Sequence, residues 1–349
     1  MRTAFSAAAK AAVVASIILL PSRSWAQNPA QHFWSGDLFL NNIVEPNIVY
    51  GTENNTDLRL DVYRPRYTAR PSPVLMFIHG GGWVWENKEQ HNLVILPYLE
   101  MGFAVVNVEY RLAQNSPAPA AVEDCRCALH WIIRNADTYH FDKNRIVVAG
   151  TSAGGHLSLM TGLLHASDGF DVETQSGTPM VWTGVDRTEP RVAAIINWYG
   201  ITDVADLLSG ENARDYAIAW IGRRPDREKL AHDLSPLTYV RPGAPPVLSI
   251  QGDHDPIVPY SHSVRLHQAL AKAGVPQQLL TMKGCGHGGF PRELYLQAFD
   301  TIHAFLVHQH VLDDEVPQGL ASRSPGKKVL NANGTARARQ GDRPGNGTK

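Results

Sequence analysis

The sequence predicts an α/β protein: a mostly parallel sheet of about eight strands, covered by helices on both faces. Three observations carry that expectation. Short apolar runs recur along the chain, each separated from the next by a longer amphipathic stretch, as strand–helix–strand units require. Most of these runs are continuous in Val, Ile, Leu and Ala instead of alternating with polar residues, which is the pattern of strands buried on both faces. Glycine clusters follow several runs, at the carboxyl ends of strands where open sheets of this kind bind their ligands.

Taken in order, Ile48–Gly51 and Leu58–Tyr63 read as an opening antiparallel pair. Val74–His79, Phe103–Glu109, Arg145–Gly150, Val192–Tyr199, Val247–Gly252 and Gln278–Met282 are compact runs of the buried parallel type. Helices are expected between and after them, over Ala120–Tyr139, Ala153–Leu164, Ser261–Ala273 and Arg292–Gln309. In the first, Ala121, Cys125, Ala128, Leu129, Ile132 and Ile133 recur at helical spacing, and Gly274 marks the stop of the third. Asp203–Pro236 reads as a small helical excursion over the strand ends, not as a second domain.

The ends of the chain differ from its middle. Arg2 and Lys10 precede the apolar stretch Ala11–Leu20, followed by Pro21 and Ser24-Trp25-Ala26, so residues 1–26 read as a cleavable signal peptide cut after Ala26. Ten apolar residues span only about 15 Å as a helix, half a hydrocarbon core, which argues against a membrane anchor. A secreted or periplasmic protein is expected. Residues 313–349 carry no aromatics and repeated Gly and Pro, and read as a disordered tail. The body, 27–312, is then one domain. The formal charge of -1 conceals a split, since each end carries about +3 and the body is left near -7. Such a body has no basic face for nucleic acid. Three cysteines in 349 residues make no disulfide scaffold.

The chemistry-bearing residues stand at strand ends. Gly150-Thr151-Ser152-Ala153-Gly154 lies between an apolar strand and an apolar helix, a GxSxG elbow in which small residues permit a sharp turn that raises the Ser152 hydroxyl. The helix N-terminus adds a positive dipole where negative charge would develop. His79-Gly80-Gly81-Gly82-Trp83 follows another strand, and its exposed N–H groups suit an oxyanion hole made by Gly81 and Gly82 together with Ala153. No Lys-Ser/Thr follows the glycines and GxGxxG spacing is absent, which disfavours a nucleotide site. His79 itself reads as a residue that orients this loop. Serine needs an imidazole base, and the imidazole needs a carboxylate to fix its tautomer. His287, in Gly284–Gly289, is the candidate base, and Asp253 and Asp255 compete for the carboxylate role.

These residues, together with Leu58–Pro65, Tyr110-Arg111-Leu112, Val122-Glu123-Asp124 and Trp198–Asp203, give the chain from about Tyr50 to Leu306 a close resemblance to the α/β-hydrolase superfamily. Within it, the chain resembles bacterial hormone-sensitive-lipase-like esterases and bifunctional feruloyl/acetylxylan esterases. The resemblance implies Ser152 as nucleophile, His287 as base and Asp255 as its partner, since the family's acid precedes a hydrophobic-Pro turn such as Ile257-Val258-Pro259. It implies a serine carboxylesterase working through an acyl-enzyme, on short-chain acyl esters or on acetyl or feruloyl esters of plant polysaccharide, with no metal or organic cofactor. Two departures stand out: Gln251-Gly252 where His-Gly is common, and a polar segment, 167–189, expected to overhang the site.

Five tryptophans (83, 85, 182, 198 and 220) read either as an aromatic platform or as packing, and Trp83 and Trp198 are the candidate substrate contacts. Cys125, Cys127 and His130 do not read as a metal site, because the first two point to different sides of a helix. Cys285 is open to a bond with Cys125 or Cys127 in an oxidising compartment. Two other functions fit the same residues less well: amide or peptide hydrolysis by the same triad, and a non-catalytic binding protein on this fold. Neither a nucleic-acid partner nor stable membrane insertion is expected, and the sequence leaves the oligomeric state open.

Overall fold

The computed structural model describes residues 34–171 and 190–313. The expected signal peptide, most of the 167–189 segment with Trp182, and all of the tail beyond Asp313 lie outside them. Eight strands form one sheet: β1 (Asn42–Glu53), β2 (Thr56–Pro65), β3 (Ser72–Ile78), β4 (Ala104–Val108), β5 (Phe141–Thr151), β6 (Ala194–Trp198), β7 (Val247–Gly252) and β8 (Gln277–Met282). Their order is β1-β2-β4-β3-β5-β6-β7-β8. β1 pairs antiparallel with β2, and β2 antiparallel with β4, while every later pair is parallel.

Period-two alternation explains why a continuous apolar run suits such a strand. Along β3, Val74, Met76 and Ile78 enter one core layer while Leu75 and Phe77 enter the other. The first layer is closed by α3 (Ala120–Arg134), α5 (Ala153–Leu163) and α8 (Ser261–Lys272), through Leu129 and Ile132, Leu157 and Met160, and Leu266 and Leu270. The second is closed by α2 (Leu96–Glu100) and α9 (Arg292–His308), through Tyr98 and Leu99, and Ile302 and Phe305. α1 (Trp34–Asn41) precedes the sheet.

Two differences from the expected elements have local causes. The helix over 120–139 breaks at Asn135, whose side-chain amide donates to the carbonyl of Trp131 at 2.8 Å, leaving α3 and a single turn, α4 (Ala136–Tyr139). The short α2 was not foreseen, because five residues beginning Leu96-Pro97 carry too little periodicity. The excursion after β6 is helical as expected, with α6 (Asp215–Ile221) and α7 (Arg227–Asp233) joined by short 3-10 turns.

Candidate active site

Ser152 follows β5 and precedes α5 with φ 55° and ψ -117°, a backbone conformation that costs a non-glycine residue of order 1–3 kcal/mol. Close packing imposes the turn. A Cβ at Gly154 would stand 2.1 Å from the Ile78 carbonyl oxygen and 2.4 Å from that of His79, and a Cβ at Gly150 would stand 2.4 Å from the Gly154 oxygen. The elbow therefore lies directly on the end of β3. The Ser152 N–H donates to the Trp198 carbonyl at 2.9 Å, fastening the turn to β6, and its carbonyl accepts from His156 to start the helix.

His287 lies between the serine and a carboxylate. Its Nε2 is 2.8 Å from Ser152 Oγ and its Nδ1 is 2.7 Å from Asp255 Oδ2. A carboxylate only accepts, so Nδ1 carries the proton and Nε2 is left to accept from the serine hydroxyl. The Asp255 side chain is fully buried, and its other oxygen accepts from the N–H groups of Ile257 and Val258 at 2.8 and 3.0 Å. Asp253 has a different duty: its Oδ1 accepts from the Gly284 N–H at 2.7 Å and braces the turn that carries His287. Of the two aspartates, Asp255 is the one whose carboxylate reaches the imidazole.

The glycine loop sits beside this group. Gly81 and Gly82 adopt φ of 88° and 58°. A Cβ on Gly81 would fall 1.9 Å from the Trp85 carbonyl oxygen, so no other residue fits there. Among the described residues, the N–H groups of Gly81, Gly82 and Ala153 have no protein acceptor. Tyr110 supports the loop from below, its hydroxyl donating to the Gly80 carbonyl at 2.7 Å and its ring stacked on His79 at 4.2 Å. Burial holds His79 neutral by pushing it down to about 3, which suits an orienting residue and not a base.

Several residues enter this region without having been singled out. Tyr199, at φ 42°, sets its ring edge-on to His287 at 4.7 Å, and burial keeps its phenol protonated well above the ordinary range. Arg214 donates to the carbonyls of Ile257 and Pro256, each at 3.0 Å, and Tyr216 packs over Gly82 while its hydroxyl reaches Ile257. The excursion thus touches both the acid turn and the glycine loop. For Tyr199 the available signal was its place just after β6; for Arg214 and Tyr216, some 40 residues from their partners, there was none.

The tryptophan expectation is corrected. Trp83 is 0% exposed, stacked on Trp220 at 4.1 Å and edge-on to His156, while Trp198 is 2% exposed and donates its indole N–H to Tyr98 at 3.0 Å. Both are core residues and neither offers a free face to a substrate. Among the described tryptophans Trp85 is the exposed one, at 57%. The three cysteines are free, and Cys125 and Cys127 lie in one core layer while Cys285 packs against the other. Among the described residues no group of three or more His, Cys, Asp or Glu is placed to hold a metal ion.

Comparison with known proteins agrees with this architecture. The BD-FAE family model matches residues 60–270. Esterase LipC of Mycobacterium tuberculosis is 32% identical over 236 residues, covering 66% of this chain and 56% of LipC. Carboxylesterase NlhH of the same organism is 30% identical over 243 residues, covering 68% of this chain and 73% of NlhH. The chain thus spans about half the length of LipC and nearly three quarters of NlhH. Among solved structures, a truncated carbohydrate esterase from gut microbiota superposes with a TM-score of 0.64 at 26% identity, over 77% of this chain and 96% of that one. An esterase of the Planctomycetes species Thermogutta terrifontis, at TM-score 0.62 and 23% identity over 79% and 95%, shares the fold. On the family match and the sheet order together, the chain belongs to the BD-FAE family and has an α/β-hydrolase fold.

Proposed function

We propose that the chain is an exported carboxylic ester hydrolase working through an acyl-enzyme on Ser152, with His287 as base and Asp255 as its partner. The observation that carries this reading is the pair of contacts through His287, 2.8 Å to the serine and 2.7 Å to the aspartate. Ser152 Oγ attacks the acyl carbonyl as its proton passes to His287 Nε2, and the tetrahedral oxyanion faces the N–H groups of Gly81, Gly82 and Ala153. His287 then protonates the departing alcohol, and water enters by the same route to release the acid. Asp255 keeps the imidazole in the tautomer that accepts from serine and stabilises the imidazolium that forms.

The substrates we propose are short-chain acyl esters, and acetyl or feruloyl esters carried on plant polysaccharide. Family membership supports this, as does likeness to a neighbour titled a carbohydrate esterase. Trp85, close after the glycine loop in the chain, and Ile257, in the acid turn, are exposed apolar residues. Residues 1–26, read as a leader cleaved after Ala26, support a secreted or periplasmic enzyme. Replacing Ser152 by Ala in purified protein abolishes hydrolysis of p-nitrophenyl acetate on this reading, and unchanged turnover sinks it. A panel of acetyl, butyryl, octanoyl and feruloyl esters with acetylated xylan tests the substrate class, and a preference for octanoyl ester counts against it.

A further inference from the structure

The acid turn is held by a side chain that the proposed mechanism does not use. Gln251, the penultimate residue of β7, is completely buried beneath Asp255. Its Nε2 donates to the Val258 carbonyl at 2.8 Å and to Asp255 Oδ2 at 3.3 Å, the same oxygen that His287 engages. Its Oε1 accepts from the hydroxyl of Ser263, fully buried in the first turn of α8. The orientation of this amide follows from chemistry alone. A carbonyl and a carboxylate can only accept, so the NH2 must face them, and the oxygen is left to the one hydroxyl on the other side.

We propose that Gln251 is a positioning residue for Asp255, and that Ser263 holds it in register; the proposal rests on the hydrolase reading above. Without the amide, Asp255 Oδ2 keeps His287 as its partner but loses the donor that fixes its distance from β7, and the Val258 carbonyl is buried without a side-chain donor. The carboxylate then rotates about its two backbone bonds to Ile257 and Val258, and the imidazole follows it. Catalysis of this kind depends on sub-ångström placement, so the effect falls on turnover and spares substrate binding.

The charged and titratable groups facing Asp255 are few. His287 meets it from the last strand's loop, Arg214 and Tyr216 reach its turn from the excursion, and Tyr199 faces it from the end of β6 with Glu86 beyond. Against that background, glutamate at position 251 makes a sharp test, because it matches glutamine in shape. Protonated, its carboxyl donates as the amide does. Ionised, it sets a second buried negative charge beside Asp255, and both burial and that neighbour raise the pH at which it ionises.

The experiment measures kcat and KM for p-nitrophenyl acetate between about pH 5 and 9 in the wild type, Gln251→Met and Gln251→Glu, with thermal melts of each. For Gln251→Met we expect kcat to fall roughly tenfold with KM within about twofold. For Gln251→Glu the activity relative to wild type is expected to be highest at low pH and to drop by roughly tenfold as pH rises. A space-filling role moves neither the kcat/KM split nor that ratio. Unchanged kcat in Gln251→Met, or a flat ratio in Gln251→Glu, overturns the proposal. If neither variant folds, Ser263→Ala decides: kcat lowered about two- to fivefold at constant KM supports the role, and unchanged kcat refutes it. Wild type inert towards esters overturns the hydrolase reading and this role together. An active wild type with indifferent Gln251 variants overturns this role alone.

Discussion

Replacing Asp255 by Asn changes one atom and should nearly silence the enzyme. The carboxylate accepts four hydrogen bonds: Ile257 and Val258 N–H on Oδ1, and His287 Nδ1 and Gln251 Nε2 on Oδ2. An asparagine has one oxygen for all of them. Two backbone N–H groups fixed in the turn claim that oxygen, so the amide NH2 is turned towards His287. The imidazole answers by presenting Nδ1 as acceptor, which moves its proton to Nε2, and a protonated Nε2 accepts nothing from Ser152. A wrong tautomer of this kind lowers kcat by about 10⁴, or roughly 5.5 kcal/mol of transition-state stabilisation. The NH2 also meets Gln251 Nε2 donor to donor, at a stability cost of about 1–3 kcal/mol. Initial rates on p-nitrophenyl acetate, read with a thermal melt, separate the two effects. Asp253→Asn is the matched control: its amide oxygen still accepts from Gly284, so activity should stay within about threefold. More than about a tenth of wild-type kcat in Asp255→Asn, or an equal loss in Asp253→Asn, refutes the assignment.

Further predictions follow from packing and burial. Gly154→Ala drives a Cβ to 2.1 Å from the backbone oxygen of Ile78, which cannot retreat without moving β3, so soluble expression and activity should fall together. Trp83→Ala empties a fully buried site stacked on Trp220 and should cost about 3–5 kcal/mol, a Tm drop of roughly 10 °C, whereas exposed Trp85→Ala should leave Tm within about 2 °C and raise KM for aryl esters. Burial lowers the His156 pKa from 6.5 to about 4. The unfolded chain therefore binds the extra proton first, and stability is lost as pH falls from about 6.5 to 4. His156→Gln, which can still donate to the Leu234 carbonyl, should flatten the dependence of Tm on pH across that window. An equal slope in both proteins contradicts the account.

The elbow and the glycine loop were legible in sequence because local geometry leaves few alternatives: Gly150, Gly154 and Gly81 sit where a Cβ has no room. Parallel strands were legible because both faces of β3, β4, β6, β7 and the second half of β5 are buried, so these runs are largely apolar without alternation. Tryptophan resisted the same treatment. Its indole suits a core as well as a binding surface, and nothing local indicates that Trp83 turns inward onto Trp220 while Trp85, two residues on, faces solvent. The clamps on the acid turn were illegible for another reason. Arg214 and Tyr216 lie 41 to 43 residues from the carbonyls they meet, and Ser263 lies 12 from Gln251, so only the folded chain sets their spacing. Sequence leaves the pairing of Cys285 open because it does not say on which side of a sheet a loop cysteine packs.

We propose Ser152 as the nucleophile, activated by His287 and Asp255. The most direct test is to treat the purified protein with a fluorophosphonate probe and map the adduct by peptide mass spectrometry, in the wild type and in Asp255→Asn. One covalent adduct is expected, on Ser152, formed rapidly in the wild type and at least about a thousandfold more slowly in the variant. No adduct, an adduct on another residue, or equal labelling rates in the two proteins would contradict it.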